Sequence, residues 1–263
     1  MVIMNPTMEI LLRRRSIRAY QDRPVAEAER EAILGAAMRA PTAGNMMLYS
    51  VIHIRSQATK ETLARTCDNQ PFIARAPLVL LFLADYQRWY DYYRISGVEH
   101  LPGVQGGPLQ KPEAGDLFLA CCDALIAAQT AVIAAESLGI GSCYIGDILE
   151  NFEVHRDLFK LPRYTFPICL LCFGYPSQQQ LEHPLTSRFD ERFIVFEDEY
   201  RALDEREYEE MFRRAQEQLA RGGPRPEGVA TPGQMNYVRK FTAEFSQEMR
   251  RSVRAMLRAW GQE

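Results

Sequence analysis

The stretch from Leu117 to Leu138 constrains the fold more than any other part of the chain. It is the longest apolar run in the sequence, interrupted by Asp123, Gln129 and Glu136, and alanine recurs at 120, 124, 127, 128, 131, 134 and 135. A helix with so little polar face has to be buried on most sides, and its small side chains let neighbouring elements come close. The interrupting charges and the alanine content make it a core helix of a soluble protein rather than a membrane span. A homodimer axis alongside it would account for the apolar surface left over. Asp116 is placed to cap this helix and Gly139 to end it. Four apolar segments read as strands: Leu48–Ile54, Leu78–Ala84, Ser142–Ile145 and Phe166–Phe173. The second, bounded by Pro77 and Asp85, is unbroken and so reads as buried on both faces. Further helices are expected from Pro6, over 24–40, over 57–67 and over 148–159.

The net charge of −3 provides no broad basic field, which argues against nucleic acid or an anionic membrane as a partner. The six cysteines sit mostly in apolar runs, which suits a reducing cytoplasm. Cys169 and Cys172 form a C-x-x-C, but residues three apart on a strand point to opposite faces, so neither a redox pair nor a zinc site is expected. The four histidines are scattered and no metal constellation is present.

Against that background the segment Arg13-Arg14-Arg15-Ser16-Ile17-Arg18 stands out, with four arginines and a hydroxyl in six residues. Such a set suits a dense oxyanion such as a phosphate monoester. Three other segments are candidates to meet the same ligand: Pro41-Thr42-Ala43-Gly44-Asn45, the amides Asn69 and Gln70, and Gly139-Ile140-Gly141-Ser142-Cys143-Tyr144-Ile145-Gly146. The last is not a dinucleotide fingerprint. Tyr144 stands where the third glycine belongs, and a helix rather than a strand precedes it. No strong nucleophile, base or metal set is apparent, so the hard chemistry falls to an organic cofactor. One phosphate, a polar chain and a flat ring describe FMN.

These motifs, in this order and with the alanine-rich helix between the second and third, resemble the FMN-dependent nitroreductase family over about residues 8 to 200. The resemblance implies an α+β fold with a mixed, largely antiparallel sheet flanked by helices, and an obligate homodimer with FMN at the subunit interface. It implies that Arg14, Arg15, Ser16 and Arg18 hold the phosphate and nearby ribityl oxygens, with Arg188 as a late basic residue reaching the same group. Pro41, Thr42, Ala43 and Asn45 would line the flavin from the other subunit. Asn69 and Gln70 would bond the pyrimidine edge or the ribityl chain, and Ile145 and Gly146 would offer backbone N–H groups near N5. The chain departs from many members after Asn45, where Met46-Met47-Leu48-Tyr49 replaces Gln-Pro-Trp, and at Thr186, where many have lysine.

The implied reaction needs no catalytic side chain: NAD(P)H gives hydride to flavin N5 and an acceptor, nitroaromatic or quinone-like, then takes its place in a ping-pong cycle. Tyr86, Trp89, Tyr90 and Tyr93, with Tyr92, are candidates for an aromatic wall over the acceptor, with plain packing as the competing reading. A Gly/Pro-rich loop follows them to Gly115. Alternative functions on the same fold are reductive dehalogenation, oxidation of a specific metabolite, or a non-catalytic flavin sensor or electron-transfer module. Residues 1–200 are expected to form the FMN-binding domain and 201–263 a helical extension. Phe193–Phe196 is a short strand candidate. After a linker at Gly222–Pro226, a final helix presents Tyr237, Phe241, Phe245, Met249, Val253, Met256 and Trp260 as one apolar stripe. That stripe is expected to pack on its own body or on a partner subunit, with the partner favoured.

Overall fold

The computed structural model describes residues 4–101 and 109–261. The loop glycines and prolines at 102, 103, 106, 107 and 108 lie outside the described residues. The chain divides into two compact units, one running up to His183 and including the chain from Glu248 on, the other Pro184–Gln247.

The first unit opens with α1 (Pro6–Arg13), capped by Asn5 with proline at the first helical position. It continues through α2 (Glu27–Ala37), β1 (Tyr49–His53), α3 (Gln57–Thr66), α4 (Phe72–Arg75), β2 (Leu78–Asp85) and α5 (Gln87–Ile95). Then come α6 (Ala114–Ser137), β3 (Gly141–Ile145), α7 (Phe152–Phe159), β4 (Thr165–Gly174) and α8 (Gln178–Glu182). The strands form one antiparallel sheet in the order β1-β2-β4-β3. A single parallel bridge, Ser16 to Ser142, adds the arginine segment to its edge. The expected α+β architecture is therefore the one observed.

Every residue of β2 is buried, as its unbroken apolar run requires. Its alternate residues separate two cores. Leu78, Leu80 and Phe82 join Cys169, Leu171 and the alanines of α6, while Val79, Leu81 and Leu83 join Cys172, Cys143, α3 and α4. Cys169 and Cys172 thus lie on opposite faces of β4. The pairing of β2 with β4 slips between Phe82 and Leu83, which skips Ile168. The bulge sits beside Pro167, whose missing N–H cannot serve a central strand.

Several boundaries are set by contacts distant in sequence. Helix α6 begins at Ala114 rather than at Asp116, whose carboxylate instead accepts from the Glu113 N–H at 2.8 Å. Gly139, with φ +74, follows its C-terminus as expected. The helix expected over 148–159 is broken. A 3-10 turn, Gly146–Leu149, is followed by Asn151 at φ +51, which is held there by its amide bond to the Thr66 carbonyl at 2.8 Å.

The second unit contains α9 (Glu205–Ala220), with a capping box at Asp204 and Glu207, and α10 (Pro232–Asn236). Phe193–Phe196 is not a strand. Asp190 starts a 3-10 turn there, and Ile194 and Val195 are exposed with no strand to pair against. The long final helix is also interrupted. Tyr237–Phe241 adopts a π turn because the Thr242 N–H and hydroxyl both bond the Tyr237 carbonyl, and α11 (Glu244–Trp260) starts afresh after it. The last turns of α11 pack on the chain's own first unit. Met256 and Trp260 are buried with Phe152, Tyr164 and Phe166, and Arg251 pairs with Glu153 at 2.8 Å.

Candidate functional site

Residues 16–20 run along the edge of the sheet. Ile17 donates its N–H to the Ser142 carbonyl at 2.9 Å and buries its side chain, while Ser16 and Arg18 stay exposed. This docking needs two glycines at the sheet. A Cβ on Gly141 would lie 2.4 Å from Ile17 Cγ1, and one on Gly174 would lie 2.5 Å from Tyr20 Cδ1.

The four expected phosphate ligands divide into two groups. Arg15 is spent on structure, its Nη1 donating to the carbonyls of Leu181 at 2.8 Å, in the short α8, and of His183 at 2.5 Å, just after it. Arg14, Ser16 and Arg18 gather over the start of β3. Burial pushes the Cys143 thiol up, opposed by the Arg18 charge, a hydrogen bond with Ser16 and the Arg14 charge. Glu136, on the last turn of α6, is pushed up to about 7 by burial against the pull of Arg14, of bonds with Ser142 and of Arg15. The Arg14 Nη1 is buried and has no hydrogen-bond partner among the described residues. A buried guanidinium N–H left unmatched is costly, which makes it a candidate contact for an acceptor from outside them.

The far end of β3 meets the link between α3 and α4. Asp68 and Asn69 both adopt left-handed backbone, φ +52 and +49. That turn delivers Gln70, whose amide Nε2 donates to Asp147 Oδ2 at 2.6 Å and to the Cys67 carbonyl at 3.0 Å. Ile145 is buried, whereas Gly146 is exposed and a Cβ there would meet nothing within 4 Å. The Arg18 guanidinium stands over the Phe72 ring at 5.8 Å and so connects the arginine corner to α4. Arg18 thus reaches α4 from the start of β3, while Gln70 joins the α3–α4 link to the turn that follows the strand.

The remaining expected residues have partners of their own. The Pro41–Asn45 turn is fastened to α6 by Asp123, which accepts from the Thr42 hydroxyl and from the Ala43 N–H at 3.0 Å, and leaves Pro41 and Asn45 exposed. Arg188 belongs to the second unit, and its guanidinium bonds the Thr186 carbonyl at 3.2 Å. The aromatic residues of 86–93 make contacts with one another and with neighbouring elements, and Tyr92 stays exposed at 59%. Trp89 Nε1 donates to the Met46 carbonyl at 2.7 Å, Tyr90 stacks edge-on against Tyr164 at 5.0 Å, and Trp89 contacts Tyr93 at 5.7 Å. Tyr86 hydrogen-bonds with Tyr93 and Asp116, and burial pushes its phenol up.

A model of the nitroreductase family matches residues 11–175. The chain belongs to that family. It is 35% identical over 217 residues to the oxygen-insensitive NADPH nitroreductase of Salmonella typhimurium, covering 82% of each chain. It is 32% identical over 202 residues to an FMN reductase [NAD(P)H] of Bacillus subtilis, covering 77% of each. The structure superposes on NfrA2 of B. megaterium with TM-score 0.79 at 25% identity, covering 99% of both chains.

Three acidic residues of this nitroreductase-family chain shape the site without any local motif to announce them. Asp123 reads in sequence as an interruption of an apolar run, and Asp147 and Glu150 belong to no motif. Glu150 is buried at 5% exposure. Burial pushes its carboxyl up to about 8, reinforced by the charges of Asp147, Asp68 and Glu248 and by a hydrogen bond with Asp147. A carboxyl raised in the folded state keeps its proton where the unfolded chain has lost it, so it lowers stability progressively from about pH 4.3 to about pH 8. Glu150→Gln is therefore expected to raise the melting temperature at pH 8 and leave it nearly unchanged at pH 4.5. Equal shifts in melts at the two pH values would contradict this.

Proposed function

We propose that this chain is an FMN-dependent NAD(P)H oxidoreductase of the nitroreductase type. The observation that carries the reading is the buried, unpartnered Arg14 Nη1 beside Ser16 and Arg18. That is a cationic donor set missing one oxyanion, on a surface where Gly146 leaves room for a flat ring. Relatives named NADPH nitroreductase, FMN reductase and NADPH-flavin oxidoreductase support the same cofactor and donor.

Bound FMN would supply the redox chemistry between NAD(P)H and the acceptor. The protein's part is binding and orientation. Arg14, Ser16 and Arg18 would hold the phosphate, and Arg15 adds charge from behind without a free Nη1. Asn69 and Gln70 would serve the ring or ribityl polar atoms, and the Ile145–Gly146 backbone would lie near N5. Cations and N–H groups placed in advance favour added negative charge on the ring. Donor and acceptor would use one face in turn, a ping-pong order, with nitroaromatic or quinone-like compounds as acceptors.

The second subunit of the proposed homodimer would place Pro41, Thr42, Ala43 and Asn45 over the flavin. Helix α6 supports this pairing. Phe118, Leu119, Leu125 and Ile126 are 40–72% exposed along one side of the helix whose other side is the core, an apolar stripe of the kind that marks an interface. All six cysteines are free thiols, in keeping with a reducing cytoplasm.

Reconstitution with FMN tests the reading. The chain is expected to sediment as a dimer carrying one flavin per subunit, and to oxidise NADH or NADPH when given a nitroaromatic or a quinone. Arg18→Ala is expected to weaken FMN retention about tenfold or more, the size of one charge-assisted hydrogen bond, without lowering the melting temperature of the apo-protein, because Arg18 is exposed. A colourless chain that stays apo in excess FMN would end the proposal.

A further inference from the structure

The Gln70 carboxamide has its donor side used up. Both partners of its Nε2, the Asp147 carboxylate at 2.6 Å and the Cys67 carbonyl at 3.0 Å, are acceptors only. An amide turned the other way would set its oxygen against two oxygens, so the orientation is chemically forced. None of the described residues donates to Oε1, which is the one hydrogen-bonding atom of this side chain left over. Its backbone is equally settled, since the Gln70 N–H bonds the Ala64 carbonyl at 2.7 Å.

We infer that Asp147 is a positioning residue: it holds Gln70 so that this amide presents only an acceptor, Oε1, to a hydrogen-bond donor of the flavin, a ring N–H or a ribityl hydroxyl. The inference rests on the FMN reading above. Asp147 is suited to the task by its place in the chain. It follows Gly146 directly, in the 3-10 turn that ends β3, so the strand that borders the ring surface also carries the group that aims Gln70. Behind it, the buried Glu150 carboxyl lies close enough for the Asp147 charge to help push it up. Asp147 is thereby flanked by Glu150 and engaged by Gln70. With an amide at 147, which can donate as well as accept, only the Cys67 carbonyl would still dictate which end of the Gln70 amide faces inward.

The test is a titration of apo-protein with FMN, followed by the quenching of flavin fluorescence, with the melting temperature of each apo variant recorded. Asp147→Asn and Gln70→Ala are each expected to weaken FMN binding about tenfold, and Asp147→Ser to match Asp147→Asn. Adding Asp147→Asn to Gln70→Ala should cost nothing further, because the carboxylate acts through the amide. Gln70→Glu alone, with two carboxylates face to face, should lose more than tenfold. The pair Gln70→Glu with Asp147→Asn should recover part of that loss, since the introduced amide donates to the introduced carboxylate, while the oxygen still set against the Cys67 carbonyl keeps the pair below wild type. A merely structural Asp147 would show no such rescue. Wild-type affinity in Asp147→Asn, additive losses in the double variant, or a charge-swapped pair no better than Gln70→Glu would each overturn the positioning role. Failure of the wild-type chain to quench FMN would instead remove the FMN reading, and this inference with it.

Discussion

Asp123→Ala is expected to lower the stability of the first unit by about 3 kcal/mol and to free the Pro41–Leu48 turn. Asp123 is 2% exposed on the core side of α6, among alanines. Its carboxylate accepts three hydrogen bonds from one short loop: the Thr42 hydroxyl, the Ala43 N–H at 3.0 Å and the Leu48 N–H at 3.0 Å. Thr42 Oγ1 in turn accepts from the Met47 N–H at 2.8 Å, so the whole turn is tied to one side chain. Removing the carboxylate leaves two backbone donors and a hydroxyl facing an apolar helix. Each orphaned donor costs roughly 1–3 kcal/mol, partly offset because a buried charge is removed as well. For a chain of this size the melting temperature should fall by about 6–12 °C. Asp123→Asn keeps the shape and one accepting oxygen and should lose about half as much. If the turn lines the flavin of the other subunit as proposed, Asp123→Ala should also weaken FMN retention although Asp123 itself lies under the loop. An unchanged melting temperature in Asp123→Ala would show that the turn is held by something else.

The elements that could be read from the sequence are those whose signal is carried by their own residues. The unbroken apolar run of β2 is a strand buried on both faces, and the alanine-rich α6 is the helix beneath it. The opposite facing of Cys169 and Cys172 follows from strand geometry alone. Of the elements that misled, one lacks a pairing strand among the described residues and another is divided by a bond between near neighbours. Phe193–Phe196 has strand-like residues but no strand to pair with. The apolar stripe from Tyr237 to Trp260 has helical spacing throughout, yet Thr242 takes the Tyr237 carbonyl and divides it. The site shows the same contrast. The arginine cluster is visible as composition, but nothing local says that Arg15 turns away to the carbonyls at the end of α8 while Arg14 keeps an unmatched N–H. Asp147 lies 77 residues from the amide it orients and Asp123 about as far from the loop it holds. Such pairings are consequences of the fold and leave no trace in a short window.

Gly141→Ala is expected to harm cofactor retention more than stability, because this glycine sets where the arginines stand. Its φ is ordinary, so the constraint is room and not backbone conformation. The added Cβ would come within 2.4 Å of Ile17 Cγ1 and 3.1 Å of Pro176 Cγ. Ile17 is buried at 2% exposure and cannot swing outward without giving up its burial, so the strain passes to the segment that carries it. Overpacking of this kind costs roughly 1–3 kcal/mol. The displaced segment holds the Ser16–Ser142 bridge and lies between Arg14 and Arg18, whose positions over β3 define the proposed phosphate site. FMN affinity in Gly141→Ala should therefore fall about tenfold or more, with a melting temperature lowered by only a few degrees. Removing the opposing side chain separates the two effects. Ile17→Ala alone leaves a cavity and costs roughly 2–5 kcal/mol. Combined with Gly141→Ala it vacates the atom that the new methyl would strike, so the two losses should be less than additive in both stability and FMN binding. Full additivity, or wild-type FMN affinity in Gly141→Ala, would mean that the arginines owe their placement to α1 and α8 rather than to the close approach of Ile17 to the sheet.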